Sequence, residues 1–186
     1  MRTKPLQERT LHRLWWLLIN LVLSLAAIVL IDHFKETIDR NLALAAMLPV
    51  LANLCGCSGN QAIAVSIREL TLGLITTKDI FRVIRMEWLL GLINGIVIGV
   101  LLSIFMVVGG QAGIIDPVET PLIFGLVVGL SFALNTVLAV ALGASIPLIL
   151  KRMNIDPAVA AAPIMTTIVD TCGFFIILML ASYLLM

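Results

Sequence analysis

Five stretches of this chain, at residues 14–31, 41–67, 88–108, 122–150 and 158–186, are long and almost wholly apolar. A helix needs about 20 such residues to cross the hydrocarbon of a bilayer. In lipid every backbone polar group must find its partner internally, which for single segments of this length means helix. The expected fold is therefore an all-α integral membrane protein with five transmembrane helices per subunit. With 61% hydrophobic and 12% charged residues among 186, the connections are too short for a separate soluble domain. The chain divides into a short N-terminal segment, 1–13, and one membrane domain, 14–186.

The bases set the orientation. Arg2, Lys4, Arg9 and Arg13 precede the first span, Arg68, Lys78, Arg82 and Arg85 lie between the second and third, and Lys151 and Arg152 lie between the fourth and fifth. Only Lys35 and Arg40 fall in the opposite connections, so ten of the twelve bases share one side. The positive-inside rule makes that side cytoplasmic. The N-terminus is expected inside and the C-terminus outside a cell (inner) membrane crossed many times. The first apolar run exceeds a signal-peptide core, and no small-residue cleavage site follows it.

Asp170 is the one charge in the fifth span. A carboxylate at bilayer depth is costly, and such residues face a bundle interior or a wet cavity. In Thr166-Thr167-Ile168-Val169-Asp170, Thr166 stands one helical turn before the acid and on its face. Hard oxygen donors beside a cavity suit a hard cation.

The second span carries Asn53, Gly56, Cys57, Ser58, Gly59, Asn60 and Gln61 in its middle. Two glycines weaken a helix there, and free backbone at that depth is tolerated only inside protein or along a wet cavity. A broken second helix is expected, with a kink satisfied by neighbouring helices as the alternative. Cys55, Cys57 and Cys172 lack histidine neighbours, and small buried core residues suit them better than zinc ligands. His12 and His33 fall near opposite membrane surfaces.

Elsewhere the signals concern packing. Gly91, Gly95 and Gly99 in the third span, and Gly125 and Gly129 in the fourth, form small-residue stripes that let helices approach within one subunit or between two. Asn20, Asn94 and Asn135 fit interhelical hydrogen bonds. Residues 73–87 read as an amphipathic interfacial helix capped by Thr77, with Ile80, Phe81 and Ile84 on one face and Lys78, Arg82 and Arg85 toward headgroups. The same segment also suits docking of another domain.

The first two and last two spans also align. Asn20, Val22, Leu23 and Ala26 match Asn135, Val137, Leu138 and Ala141, and Pro49 matches Pro163. Asn53-Leu54-Cys55-Gly56 matches Asp170-Thr171-Cys172-Gly173. The halves would be inverted copies, an arrangement that places binding sites near the midplane. Asn53 and Asp170 would then face one pathway.

The run Pro147-Leu148-Ile149-Leu150-Lys151-Arg152-Met153-Asn154-Ile155-Asp156-Pro157-Ala158, followed by Pro163 and Thr166 to Asp170, resembles the last two helices of the MgtE magnesium channels. Leu48-Pro49 through Asn60-Gln61, Arg68 and Leu70 to Gly73 resemble their second helix, and Trp16 to Leu21 the start of their first. The resemblance implies a homodimeric channel conducting hydrated Mg²⁺ through a pore at the subunit interface, lined by the second and fifth helices. Asp170 matches its acidic ion-binding position and Thr166 another position of that metal site. Asn53, Gly56, Asn60 and Thr167 are the pore-lining candidates. Mg²⁺ is the transported ion, with no enzymatic activity, no organic cofactor and no nucleic-acid partner. The family's usual cytoplasmic sensing domains are not matched by the dozen residues before the first span, which fits either an excised membrane domain or a natural short member, and a separate regulatory chain joins lipid and divalent cations among the expected partners. Asn53, Cys57 and Ala162 depart from the residues common in the family, which bears on selectivity. Two other readings stay open: a secondary transporter exchanging Mg²⁺ for Na⁺ or H⁺, and a non-transporting membrane scaffold.

Overall fold

The structure is a computed structural model and describes residues 6–113, 118 and 120–185. Arg2 and Lys4 of the expected N-terminal segment, and Met186 of the fifth span, lie outside those residues. Six helices follow one another: α1 Leu6–His33, α2 Lys35–Arg40, α3 Leu42–Leu72, α4 Ile80–Gln111, α5 Pro121–Arg152 and α6 Pro157–Leu184. Five of them, all but α2, are long and apolar enough to cross a membrane. The protein is an all-helical, multi-pass membrane protein.

α5 is the centre of the bundle and packs against α3, α4 and α6. Most of its apolar window, 61%, is buried, whereas none of the corresponding window of α1 is. α1 sits on the periphery against α6. Because lipid is as apolar as a protein core, close backbone approach rather than hydrophobicity holds such helices together. The α4–α5 seam shows this residue by residue. Gly91 faces Val137, Gly95 faces Ala133, Gly99 faces Gly129, and Ser103 faces Gly125, one step per turn. A Cβ at Gly95 would stand 2.8 Å from the Ala133 carbonyl oxygen. Ser103 Oγ donates to the carbonyl of Gly125 at 2.6 Å, closing the seam with a hydrogen bond. All five glycines of the two stripes meet within one subunit.

The expected break in the second span is absent, since α3 runs without interruption through Asn53 to Gln61. Its glycines serve close contact instead. A Cβ at Gly59 would lie 2.6 Å from Met165 Sδ of α6 and 3.0 Å from the Ala139 carbonyl of α5, and Gly143 of α5 abuts the Gly59 carbonyl. Ser66 Oγ donates to the Ala144 carbonyl at 3.1 Å, tying α3 to α5 two turns of α3 later. The chain is interrupted earlier, where Asn41 (φ −135°) separates the six-residue α2 from α3.

The ends of the helices are set by local chemistry. α3 stops at Gly73 (φ 71°), with Leu74 N donating to the Glu69 carbonyl. α5 stops in the same way at Asn154 (φ 58°), with Ile155 N donating to the Leu150 carbonyl. Both are left-handed caps of the kind glycine and asparagine adopt. Asp156 then opens α6 by accepting from Ala158 N at 3.0 Å, ahead of Pro157 in the first turn. The Ile-Asp-Pro portion of the sequence motif is thus a helix start.

The expected interfacial helix is the first part of α4. Its cap position is held by Asp79 rather than Thr77, because the Asp79 carboxylate gathers Thr76 N at 2.8 Å and Thr76 Oγ1 at 2.7 Å. The two halves of the chain do not pack alike. α5 packs on α6, whereas α1 packs on α6 and not comparably on α3.

Candidate functional site

The helical period of α3 divides it into two faces. Leu51, Cys55, Gly59, Ala62, Ile63 and Ser66 are buried toward α5 and α6. Asn53, Cys57, Asn60, Gln61 and Arg68 are exposed on the other side. Asn53, Cys57, Asn60 and Gln61, spaced four, three and one residues apart, make one polar row along a membrane-spanning helix, with Arg68 two turns further on. Cys57 Sγ lies 4.0 Å from Asn53 Oδ1 along that row. A polar row of this kind is not a surface for lipid tails.

α6, which packs against α3, carries Thr166 and Asp170, both partly buried and one turn apart. Thr166 Oγ1 donates to the carbonyls of Ala162 at 2.9 Å and Pro163 at 3.2 Å. Its proton is spent on the backbone while its lone pairs stay available as acceptors. Asp170 makes no hydrogen bond or ion pair among the described residues, and α6 holds no base. It comes close enough to Cys55 of α3 for the two groups to interact electrostatically. One turn further, the Asn135 amide of α5 is seated against Gly173, in the space a side chain would otherwise fill.

Of the six sequence-predicted site residues, Asn53 and Asn60 lie on the exposed face of α3, whereas Thr166 and Asp170 stand one turn apart on α6, and Asp170 approaches α3 at Cys55 on its buried face. Gly56 is buried, although no neighbouring atom lies within 4 Å of where its Cβ would be. Thr167 points elsewhere. It is buried, and its hydroxyl donates to Asn20 Oδ1 of α1 at 2.5 Å and to the Pro163 carbonyl at 2.9 Å. One residue along a helix is a rotation of about 100°, enough to carry Thr167 from the Asp170 face to the α1 seam. Asn20 makes the expected interhelical bond, while Asn94 is exposed on α4. Cys57 and Gln61 complete the polar row, and their spacing from Asn53 and Asn60 was the available signal.

Among the described residues no group of three or more histidine, cysteine, aspartate or glutamate side chains gathers to hold a metal. What a single chain offers is one carboxylate, a hydroxyl acceptor and a row of amides. That set suits an ion that keeps its water more than one stripped of it.

The family model described as a divalent cation transporter, MgtE, matches residues 48–180. That interval holds the polar row of α3 and the Thr166–Asp170 turn of α6. Three proteins named magnesium transporter MgtE are similar over most of the chain. The Bacillus subtilis protein is 31% identical over 89% of this chain, the Thermus thermophilus protein 31% over 94%, and the Enterococcus faecalis protein 30% over 91%. The chain spans only 35 to 37% of the length of these relatives. With the matched interval covering the central helix α5, both site-bearing helices and α4 between them, this chain belongs to the MgtE family of divalent cation transporters.

Proposed function

We infer that this chain forms the ion-conducting membrane part of a Mg²⁺ channel, working as a homodimer whose pore runs between the two copies along α3 and α6. The observation that carries the reading is the exposed polar row Asn53–Cys57–Asn60–Gln61 of α3, with Asp170, unpaired among the described residues, on the adjoining α6. A single subunit leaves this face open, and lipid is a poor cover for it. A two-fold axis beside the face would set two polar rows and two Asp170 carboxylates around one space, since a symmetric dimer uses the same patch on both copies. The three similar proteins are named as magnesium transporters.

The chemistry follows from the donors. Mg²⁺ loses water reluctantly and is commonly held through its hydration shell by one or two carboxylates. Paired Asp170 side chains supply the charge. The Thr166 oxygen and the amide oxygens of Asn53, Asn60 and Gln61 accept hydrogen bonds from the ion's waters. One carboxylate per subunit attracts the ion without caging it, which conduction requires. The bases around α3–α4 and α5–α6 support a cytoplasmic location for those connections.

The test is Mg²⁺ uptake into liposomes containing the purified chain, with and without Na⁺ and proton gradients. Uptake driven by the Mg²⁺ gradient and membrane potential alone is the expected result. Absolute dependence on a Na⁺ or proton gradient would identify an exchanger, and no uptake would favour a scaffold.

A further inference from the structure

Asn135, in the middle of the central helix α5, is fully buried. Among the described residues neither its Oδ1 nor its Nδ2 has a hydrogen-bond partner. Asn20, which also meets α6, bonds to Thr167 there. Buried amides are nearly always hydrogen-bonded, so one that the surrounding helices leave open calls for a physical reason.

The open amide is aimed at α6. Its Nδ2 abuts the place where a Cβ on Gly173 would stand, and the same Cβ would lie 2.7 Å from Leu51 Cδ2 of α3. Glycine at 173 therefore makes room for the amide. Asp170 is three residues earlier on α6, on the adjacent turn. The Asn135 amide and the Asp170 carboxylate both come within reach of the Cys55 thiol on α3. A carboxylate and an amide, each without a hydrogen-bond partner among the described residues, thus flank one side chain. Positions three apart on a helix have Cβ atoms about 5–6 Å apart. The amide nitrogen stands about that far from Asp170 Cβ, a separation that one water spans.

We propose that Asn135 is a positioning residue for Asp170, its amide N–H donating to one carboxylate oxygen through a single buried water. A buried water suits a polar site with two or more partners, and such a bridge is nearly as favourable as a direct bond. A carboxylate has two oxygens. With one held from the bundle side, the other is turned toward the ion's waters and kept from swinging. Groups that orient a metal-binding side chain in this way contribute about 10–100-fold in affinity. The proposal rests on the reading of Asp170 as the ion's contact and names what holds that contact in place.

Leucine is close to asparagine in shape, so Asn135→Leu removes the amide without opening a cavity and should leave melting unchanged or raised. Asn135→Ser keeps a donor. Infrared difference spectra against Asp170→Asn, in Mg²⁺-free buffer, identify the Asp170 carboxylate band of the reconstituted chain. That band should shift in Asn135→Leu. The Mg²⁺ concentration giving half-maximal uptake should rise about tenfold or more in Asn135→Leu, and less in Asn135→Ser. In the Asp170→Asn background, Asn135→Leu should change nothing further. An Asp170 band that does not move in Asn135→Leu would overturn the contact. A shifted band with unchanged half-saturation would overturn the positioning role. If Asp170→Asn itself leaves uptake untouched, the pore reading fails, and the band still decides whether Asn135 holds Asp170.

Discussion

Thr167 Oγ1 donates to Asn20 Oδ1 at 2.5 Å, joining the peripheral helix α1 to α6 across 147 positions of sequence. Ser24 Oγ also donates to the same amide oxygen, at 3.2 Å. Thr167→Val keeps the shape and removes the donor. Interhelical hydrogen bonds in membranes average about 0.6 kcal/mol and reach about 1.7. The substitution should lower thermal stability in detergent by that amount and leave Mg²⁺ uptake unchanged. A large loss of uptake at unchanged stability would return Thr167 to the ion pathway.

The α4–α5 seam makes an opposite pair of glycine predictions. A Cβ at Gly99 would strike the Gly129 carbonyl oxygen at 2.6 Å, while Gly110 has open space around it. Gly99→Ala should cost about 1–3 kcal/mol through forced separation of two backbones. Gly110→Ala should be neutral or gain up to about 1 kcal/mol from helix propensity. Thermal unfolding of the two variants in detergent decides it, and equal effects would contradict the seam.

Cys57 reports on what covers the polar row. It is exposed, whereas Cys55 is buried with its sulfur 3.6 Å from Thr136 Oγ1. Thiolates form in water and not in lipid. Charged thiosulfonate reagents should label Cys57, leave Cys55 alone and block uptake, with Cys57→Ser insensitive. No labelling of Cys57 in liposomes would mean that lipid or protein seals that face.

The turn before α4 carries a pH dependence. Two hydrogen bonds from Thr76 hold the Asp79 carboxyl below the ordinary carboxylate value of about 3.9, with Arg82 adding to the effect. A depressed folded-state value means that the contribution is fully present above the unfolded value and lost as pH falls through the folded one. Amide exchange at residues 76–83 should accelerate as pH falls below about 4, relative to the exchange expected for an open chain at each pH. Asp79→Asn should remove that change.

The number and type of spans were legible because hydropathy over 20 residues is a strong signal for helix in lipid. The break in the second span was misread for a physical reason. Gly56 and Gly59 look alike in sequence, yet helix weakening and close packing are alternatives that only the neighbour decides. At Gly59 the neighbours are Met165 and Gly143. That Thr166 and Asp170 stand one turn apart was legible from their spacing of four on one helix. Thr167 was misplaced because α1, which claims its hydroxyl, announces itself only through Asn20, a residue equally suited to other partners. The row Cys57–Gln61 was readable at helical spacing once the helix was known to continue.

The central claim is that Asp170 sits in the ion's path. Mg²⁺ uptake into liposomes by Asp170→Asn, in a variant whose elution and melting match the unaltered chain, tests it most directly. The account predicts a fall on the order of tenfold or more, equivalent to about 1.4 kcal/mol of lost ion stabilisation. Uptake equal to that of the unaltered chain would contradict it.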